Sequence, residues 1–85
     1  SAWPLAADAS LELEQPIGTT VSILSLAERS VVTSAGLSYP LAGLSVPFGS
    51  GLGVSNATSL PTVTITCDTG LIAVIAEHGE PLKPA

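Results

Sequence analysis

The sequence is poor in the residues that most often carry chemistry. Its 85 residues include one Cys, one His, one Trp, one Tyr, one Phe and no Met, and only two are Lys or Arg. Because binding to phosphates needs basic side chains, this count and the net charge of -5 argue against nucleic acid and anionic membranes as partners. The single cysteine, Cys67, excludes an intrachain disulfide. The longest unbroken apolar run, residues 71–76, falls far short of the roughly 20 residues that cross a bilayer.

Charge of either sign is scarce. Charged residues make up 11% of the chain, against about 25% in an average soluble domain, while 46% of the residues are hydrophobic. Residues 30–67 contain no Asp, Glu, Lys or Arg, and their regular supply of aliphatic side chains indicates a packed segment. A single domain of this length, 1–85, would expose an unusually apolar surface as a monomer. We therefore expect a homo-oligomer.

Apolar and polar residues alternate in several short stretches, which is the pattern of half-buried strands. Residues 11–14 read Leu-Glu-Leu-Glu, with the leucines expected to face inward, and residues 62–67 alternate Thr with Val, Ile and Cys. Residues 20–26 are rich in β-branched and aliphatic side chains and predict a further strand. Residues 71–77 form an apolar run after the turn residues Asp-Thr-Gly, so we predict a hairpin over residues 62–77 at the centre of the fold.

The predicted fold is all-β: a small sandwich or partly open barrel of five to seven short strands with extended N- and C-terminal arms. The β core is expected over residues 11–77. Dense Gly and Pro residues over 37–54 permit only short strands and loops there. Residues 78–85 contain two prolines and predict an extended tail.

Residues 1–10 show no alternation, and their length and Pro4 make an independent helix unfavourable. We interpret them as an extended arm, which at about 33 Å is long enough to reach a neighbouring chain. Trp3, Pro4 and Leu5 are the candidate partner-binding residues, because a buried Trp can dominate an interface. The alternative is that Trp3 folds back onto its own domain.

The triplet Asp68-Thr69-Gly70 follows an apolar strand and resembles the active-site loop of retroviral-type aspartic proteases. In that family two chains each contribute one such Asp, and the pair shares a proton. The flap strands and second apolar segment of that family have no counterpart in the fifteen residues that follow the triplet. A turn accounts for all three residues.

Other candidate sites are weaker. Residues 49–53, Gly-Ser-Gly-Leu-Gly, lack the spacing of a dinucleotide-binding loop, because the third glycine comes one residue early. His78 is the only histidine, and Glu77 and Glu80 lie beside it on a proline-interrupted tail that is a poor platform for a metal ion. We therefore predict no catalytic, cofactor-binding or metal-binding residues, no cofactor, and a protein that is not an enzyme.

Taken together, the Trp3-Pro4 arm, the uncharged residues 30–67 and the extended ends resemble the small decoration (cement) proteins of tailed-bacteriophage heads. Those are compact β domains, usually trimeric, that clamp neighbouring capsid subunits from outside. The resemblance implies a non-enzymatic homotrimer on the virion surface, bound to the major capsid protein or other assembly subunits. The alternatives are a tail, neck or appendage structural subunit, and a small protein-binding module in the cytoplasm.

Overall fold

The computed structural model describes residues 2–49 and 56–77. These residues contain eight strands and no helix, and so no helix that could cross a membrane. The strands are β1 (Ala2–Ala6), β2 (Ala9–Glu14), β3 (Thr20–Ser25), β4 (Arg29–Ala35), β5 (Leu44–Pro47), β6 (Asn56–Ala57), β7 (Thr62–Thr69) and β8 (Leu71–Glu77). They form two four-stranded antiparallel sheets, in the orders β1-β8-β3-β6 and β2-β7-β4-β5. The all-β sandwich predicted from the sequence is confirmed.

Strands that follow one another along the chain are often split between the two sheets. This holds for β1 and β2, for β3 and β4, and for β7 and β8, whereas β1 pairs with β8 and β2 pairs with β7. The arrangement is that of an eight-stranded jelly roll. The hairpin predicted over residues 62–77 is therefore wrong, because β7 and β8 lie in opposite sheets. Both strands have a continuous apolar face, and stacking the sheets buries the two faces against each other.

The core lies between the sheets and takes every second residue of each long strand. Its side chains with no exposed surface are Val21, Ile23, Val32, Val46, Val63, Ile65, Cys67, Ile72 and Val74. The inward position predicted for Leu13 and the outward positions predicted for Glu12 and Glu14 are confirmed. The alternation of β2 and β7 therefore reports the buried face correctly.

The N-terminal residues belong to the sandwich. Ala2–Ala6 is strand β1, which pairs along its whole length with β8 instead of extending away as an arm. Leu5 is buried in the core, and Trp3 packs half-buried against it. Small alanines and Pro4 occupy the outward positions of β1, so the usual polar alternation is missing from the sequence. This additional strand explains why the described residues hold eight strands where five to seven were predicted.

The expected boundaries change accordingly. The β core begins at Ala2 instead of residue 11, since β1 and β2 contribute to the two sheets. The extended tail predicted for residues 78–85 lies outside the described residues.

The two ends of the sandwich differ in their connections. One end has short connections at residues 7–8, 26–28 and 70, and we call it the turn end; the connection 48–55, of which only residues 48–49 are described, also leaves β5 at this end. The opposite end, which we call the loop end, has the longer connections at residues 15–19, 36–43 and 58–61. Longer connections tolerate more varied sequence and commonly carry binding residues on a rigid scaffold.

At the turn end the chain crosses between the sheets at Gly70. Its φ is +91°, a conformation that glycine adopts readily. A Cβ at this position would clash with Ser30 Oγ and lie 2.7 Å from the Arg29 carbonyl oxygen. Ser30 Oγ accepts a hydrogen bond from Leu71 N–H at 3.1 Å and shares another with Ser25 Oγ at 2.7 Å. The buried serines therefore join β3, β4 and β8 at this turn.

Candidate functional site

The connections of the loop end are tied together by Thr58. Its backbone N–H donates to the Thr19 carbonyl oxygen at 2.9 Å, and its carbonyl oxygen accepts from Gly18 N–H at 2.9 Å. The Thr58 hydroxyl donates to the Pro16 carbonyl oxygen at 2.8 Å and accepts from Thr19 N–H at 3.1 Å. Both threonines are buried. These bonds satisfy backbone groups that no strand partner reaches.

Gly36 fixes the start of the connection 36–43. Its carbonyl oxygen accepts hydrogen bonds from Ser59 N–H at 2.7 Å and from Leu60 N–H at 3.3 Å. Gly36 has a φ of +97°, and a Cβ there would lie 2.7 Å from the Thr62 carbonyl oxygen. A glycine is therefore needed for β4 to end this close to the start of β7.

The side chain of Asn56 holds the backbone of Tyr39. Asn56 Oδ1 accepts from Tyr39 N–H at 3.1 Å, and Asn56 Nδ2 donates to the Tyr39 carbonyl oxygen at 3.0 Å. Asn56 is only 4% exposed, whereas Tyr39 is 68% exposed. The backbone of Tyr39 is thus fixed while its ring faces solvent.

A second anchor follows two residues later in the same connection. Leu41 is buried, and its N–H donates to Ser34 Oγ at 3.0 Å. Its carbonyl oxygen accepts from Ser34 N–H at 2.8 Å. Tyr39 therefore lies between the buried anchors Leu37 and Leu41 on a short, braced segment.

The loop end also presents large apolar side chains. Ile17, Tyr39 and Leu60, one from each connection, are all more than half exposed. Large apolar side chains that are exposed together mark contact sites for ligands or proteins. Glu14 and Glu77, the last residues of β2 and β8, add negative charge at this end.

These groups suit a flat organic ligand that carries positive charge. The ring of Tyr39 offers a π face, which attracts a cation by its quadrupole. Arg29, the only basic residue in the described part of the chain, begins β4 at the turn end, where its Nη1 donates to Ser45 Oγ at 2.8 Å. Anionic ligands therefore find no basic side chain among the described residues of the loop end.

Asp68 does not lie in a turn, as the sequence suggested, but within β7. Its Oδ2 accepts a hydrogen bond from Thr33 Oγ1 at 2.6 Å. The described residues include no group of three His, Cys, Asp or Glu side chains that could hold a metal ion.

Cys67 lies in the core, as its alternation with Val63 and Ile65 predicts. Burial raises the pKa of the Cys67 thiol above its ordinary value of 9.0, and the nearby Asp68 and Asp8 raise it further. The thiol donates to the Thr69 carbonyl oxygen at 3.3 Å. It is therefore held as the protonated, unreactive form at neutral pH.

The three residues predicted to bind a partner lie on β1. Leu5 is in the core, Trp3 is half-buried against it, and Pro4 is exposed on the outer face. A partner contact through Trp3, Pro4 and Leu5 stays a prediction. Sequence reasoning did not select Tyr39 or Asn56, although an isolated Tyr beside a Pro in an uncharged stretch is a signal for an exposed aromatic loop residue.

Comparison with known proteins identifies one family. The family model described as thiamin pyrophosphokinase, vitamin B1 binding domain, matches residues 8–72. This match covers β2 to β7, the start of β8 and all three connections of the loop end. No curated protein matches the sequence significantly.

Solved structures share the fold. A thiamine pyrophosphokinase from Bacillus subtilis is 20% identical, with a TM-score of 0.78 over 93% of this chain and 37% of that chain. A thiamin pyrophosphokinase from Geobacillus thermodenitrificans is 18% identical, with a TM-score of 0.74 over 94% of this chain and 37% of that chain. A thiamin pyrophosphokinase family protein from Enterococcus faecalis is 20% identical, with a TM-score of 0.71. The chain thus spans little more than a third of the length of these proteins.

These findings overturn the resemblance to phage decoration proteins. The predictions of a virion location, capsid partners, a decorating homotrimer and a non-enzymatic structural role are wrong, because the matching family is a domain of an enzyme. The error arose because an apolar, weakly charged β domain is compatible with many functions, and no motif supported the viral one. The chain belongs to the thiamin pyrophosphokinase vitamin B1-binding domain family.

Proposed function

We propose that this chain is the thiamin-binding domain of a pyrophosphokinase, and that the loop end around Tyr39 receives the vitamin. The observation that carries the proposal is an exposed aromatic ring on a backbone segment that the buried Asn56 holds in place. An aromatic side chain on a fixed backbone segment has less conformational entropy to lose when a ring ligand binds than one on a mobile loop.

The chemistry of thiamin fits this surface. Thiamin contains an aminopyrimidine ring and a thiazolium ring with a permanent positive charge. Tyr39 can stack against either ring, and Ile17 and Leu60 are exposed apolar side chains on the other two connections of the loop end. The net charge of -5 favours the approach of a cation.

The phosphate chemistry belongs elsewhere in this proposal. A pyrophosphokinase transfers a pyrophosphoryl group from a nucleoside triphosphate to an alcohol, and this highly charged donor needs basic side chains or a metal ion. The whole sequence contains only one Arg and one Lys. We therefore assign this domain to thiamin, and nucleotide binding and group transfer to other parts of the enzyme. A reaction that consumes a nucleoside triphosphate also supports a cytoplasmic location.

Titration calorimetry of the full chain with thiamin tests the proposal. Tyr39→Ala should weaken binding about tenfold, since a cation over an aromatic face contributes roughly 0.5–2 kcal/mol. Tyr39→Phe keeps the ring and should bind within about twofold of wild type. The neutral aminopyrimidine alcohol that lacks the thiazolium ring should bind more weakly than thiamin.

Two results would contradict the assignment. If the folded wild-type chain shows no thiamin binding at millimolar concentration, the proposed function fails. If thiamin binds but Tyr39→Ala binds equally well, the vitamin occupies another surface. Circular dichroism of each variant verifies that the exposed substitution leaves the fold intact.

A further inference from the structure

The connection that carries Tyr39 has a third brace at its last residue. Gly43 N–H donates to Thr33 Oγ1 at 3.1 Å. Gly43 has a φ of +62°, and no atom lies within 4 Å of the position that a Cβ would occupy. The hydrogen bond to Thr33 therefore restrains a residue that has no side chain to pack against its neighbours.

The Thr33 hydroxyl is itself oriented by Asp68. Thr33 Oγ1 donates to Asp68 Oδ2 at 2.6 Å. A hydroxyl has one proton, so donating it to Asp68 leaves the lone pairs of Thr33 Oγ1 to accept from Gly43. The two bonds therefore run in series from β7, through β4, to the connection 36–43, and each strengthens the other.

We propose that Asp68 is a positioning residue for the candidate site, acting through Thr33 on the segment that presents Tyr39. The inference rests on the proposed function at Tyr39. Asn56 fixes the segment at Tyr39, Ser34 fixes it at Leu41, and the Asp68–Thr33 pair fixes it at Gly43. A segment held at all three points has less conformational freedom to lose when a ligand binds.

Thiamin affinity of four variants, measured by calorimetry on the full chain, tests this role. Asp68→Ala and Thr33→Val remove one partner each, and both should raise the thiamin Kd about threefold to tenfold, which is the effect of losing one hydrogen bond. Asp68→Asn and Thr33→Ser are the matched controls. The Asn side-chain oxygen still accepts from Thr33, and the Ser hydroxyl still bridges, so both should stay within about twofold of wild type.

Two further measurements separate positioning from a purely structural role. In a Thr33→Val background, Asp68→Ala should cause no further loss of affinity, because its effect passes through the missing hydroxyl. Hydrogen exchange at the Gly43 amide should accelerate in Asp68→Ala and Thr33→Val but not in the control variants. A merely structural contact would lower the melting temperature and leave the Kd of the folded chain unchanged.

The outcomes distinguish the two proposals. If wild type binds thiamin and Asp68→Ala and Thr33→Val bind it equally well, the positioning role is overturned and the proposed function stands. If the double variant Thr33→Val/Asp68→Ala loses as much thiamin affinity as the two single variants combined, the positioning role is also overturned. If wild type does not bind thiamin, both proposals fail.

Discussion

The side-chain amide of Asn56 pairs with the backbone of Tyr39 much as a neighbouring strand would. One Asn56 atom donates to the Tyr39 carbonyl oxygen and the other accepts from its N–H, at 3.0 and 3.1 Å. The same Oδ1 also accepts from Ala57 N–H at 3.1 Å. Because Asn56 is buried, its side-chain amide oxygen and nitrogen depend on these backbone groups for hydrogen-bond partners.

Asn56→Asp should destabilise the domain by about 1–3 kcal/mol, because a carboxylate cannot donate to the Tyr39 carbonyl oxygen and leaves it unpaired. Urea denaturation measures the loss. Ser59→Ala is the control: its exposed hydroxyl donates only to the Gly36 carbonyl oxygen, and the change should stay within about 0.5 kcal/mol. Equal stability of Asn56→Asp and wild type would show that the pair does not hold the connection.

Gly70→Ala and Gly18→Ala form a matched pair. Both glycines have a φ above +90°, but only Gly70 lies against other atoms, whereas Gly18 has open space. Gly18→Ala should cost about 1–2 kcal/mol, the strain of the left-handed backbone alone. Gly70→Ala should cost clearly more, because its Cβ also clashes with Ser30 Oγ. Equal melting temperatures for the two variants would show that the atoms around Gly70 do leave room for a Cβ.

Ile65→Ala should lower the free energy of unfolding by about 2–5 kcal/mol. Ile65 has no exposed surface, and the smaller alanine side chain would leave a cavity in the core. The neighbouring Thr64→Ala, on the outer face of β7, should cost about 1 kcal/mol or less. Chemical denaturation of both variants compares the two faces of one strand. A similar cost at both positions would mean that the faces are assigned wrongly.

The raised pKa of Cys67 predicts a loss of stability at alkaline pH. Burial favours the neutral thiol, so the unfolded chain releases this proton at a lower pH than the folded chain. The contribution is fully present below the ordinary pKa of 9.0, which applies to the unfolded chain, and is lost as the pH rises from there through the higher folded value. Unfolding free energies should fall more steeply between about pH 8 and pH 10 in wild type than in Cys67→Ala. Parallel curves would remove Cys67 as the cause.

Local patterns predicted β2, β3, β7 and β8 but neither β1 nor the pairing of the strands. The alternation in β2 and β7 gave the correct inward faces because both strands have one face in the core and one in solvent. The same signal says nothing about which strand lies alongside, so β7 and β8 were paired as a hairpin although Gly70 carries the chain across to the other sheet. Alternation fails for β1, where Pro4 and alanines take the outward positions.

The candidate site was not predictable from local patterns because its parts are distant in sequence. Tyr39 and Asn56 are joined by two hydrogen bonds, and Thr33 and Asp68 by another. No spacing rule connects such pairs. Thr33 and Asp68 come together because the jelly roll places β4 beside β7, and Tyr39 and Asn56 come together because the start of the connection 36–43 runs beside residues 56–58.

The pairing of the first strand with the last has a consequence for folding kinetics. In register, Ala2 lies opposite Ile75 and Ala6 opposite Leu71, so β1 is synthesised before β8, which is its only sheet partner among the described strands. The chain between β1 and β8 forms a long loop, and closing this loop costs conformational entropy before the contacts between the two strands can compensate for it. We expect the rate of refolding to be slow, on the milliseconds-to-seconds scale of β sandwiches, with β1 joining late. During synthesis, the apolar side chains of Trp3 and Leu5 would stay uncovered until nearly the whole domain has left the ribosome.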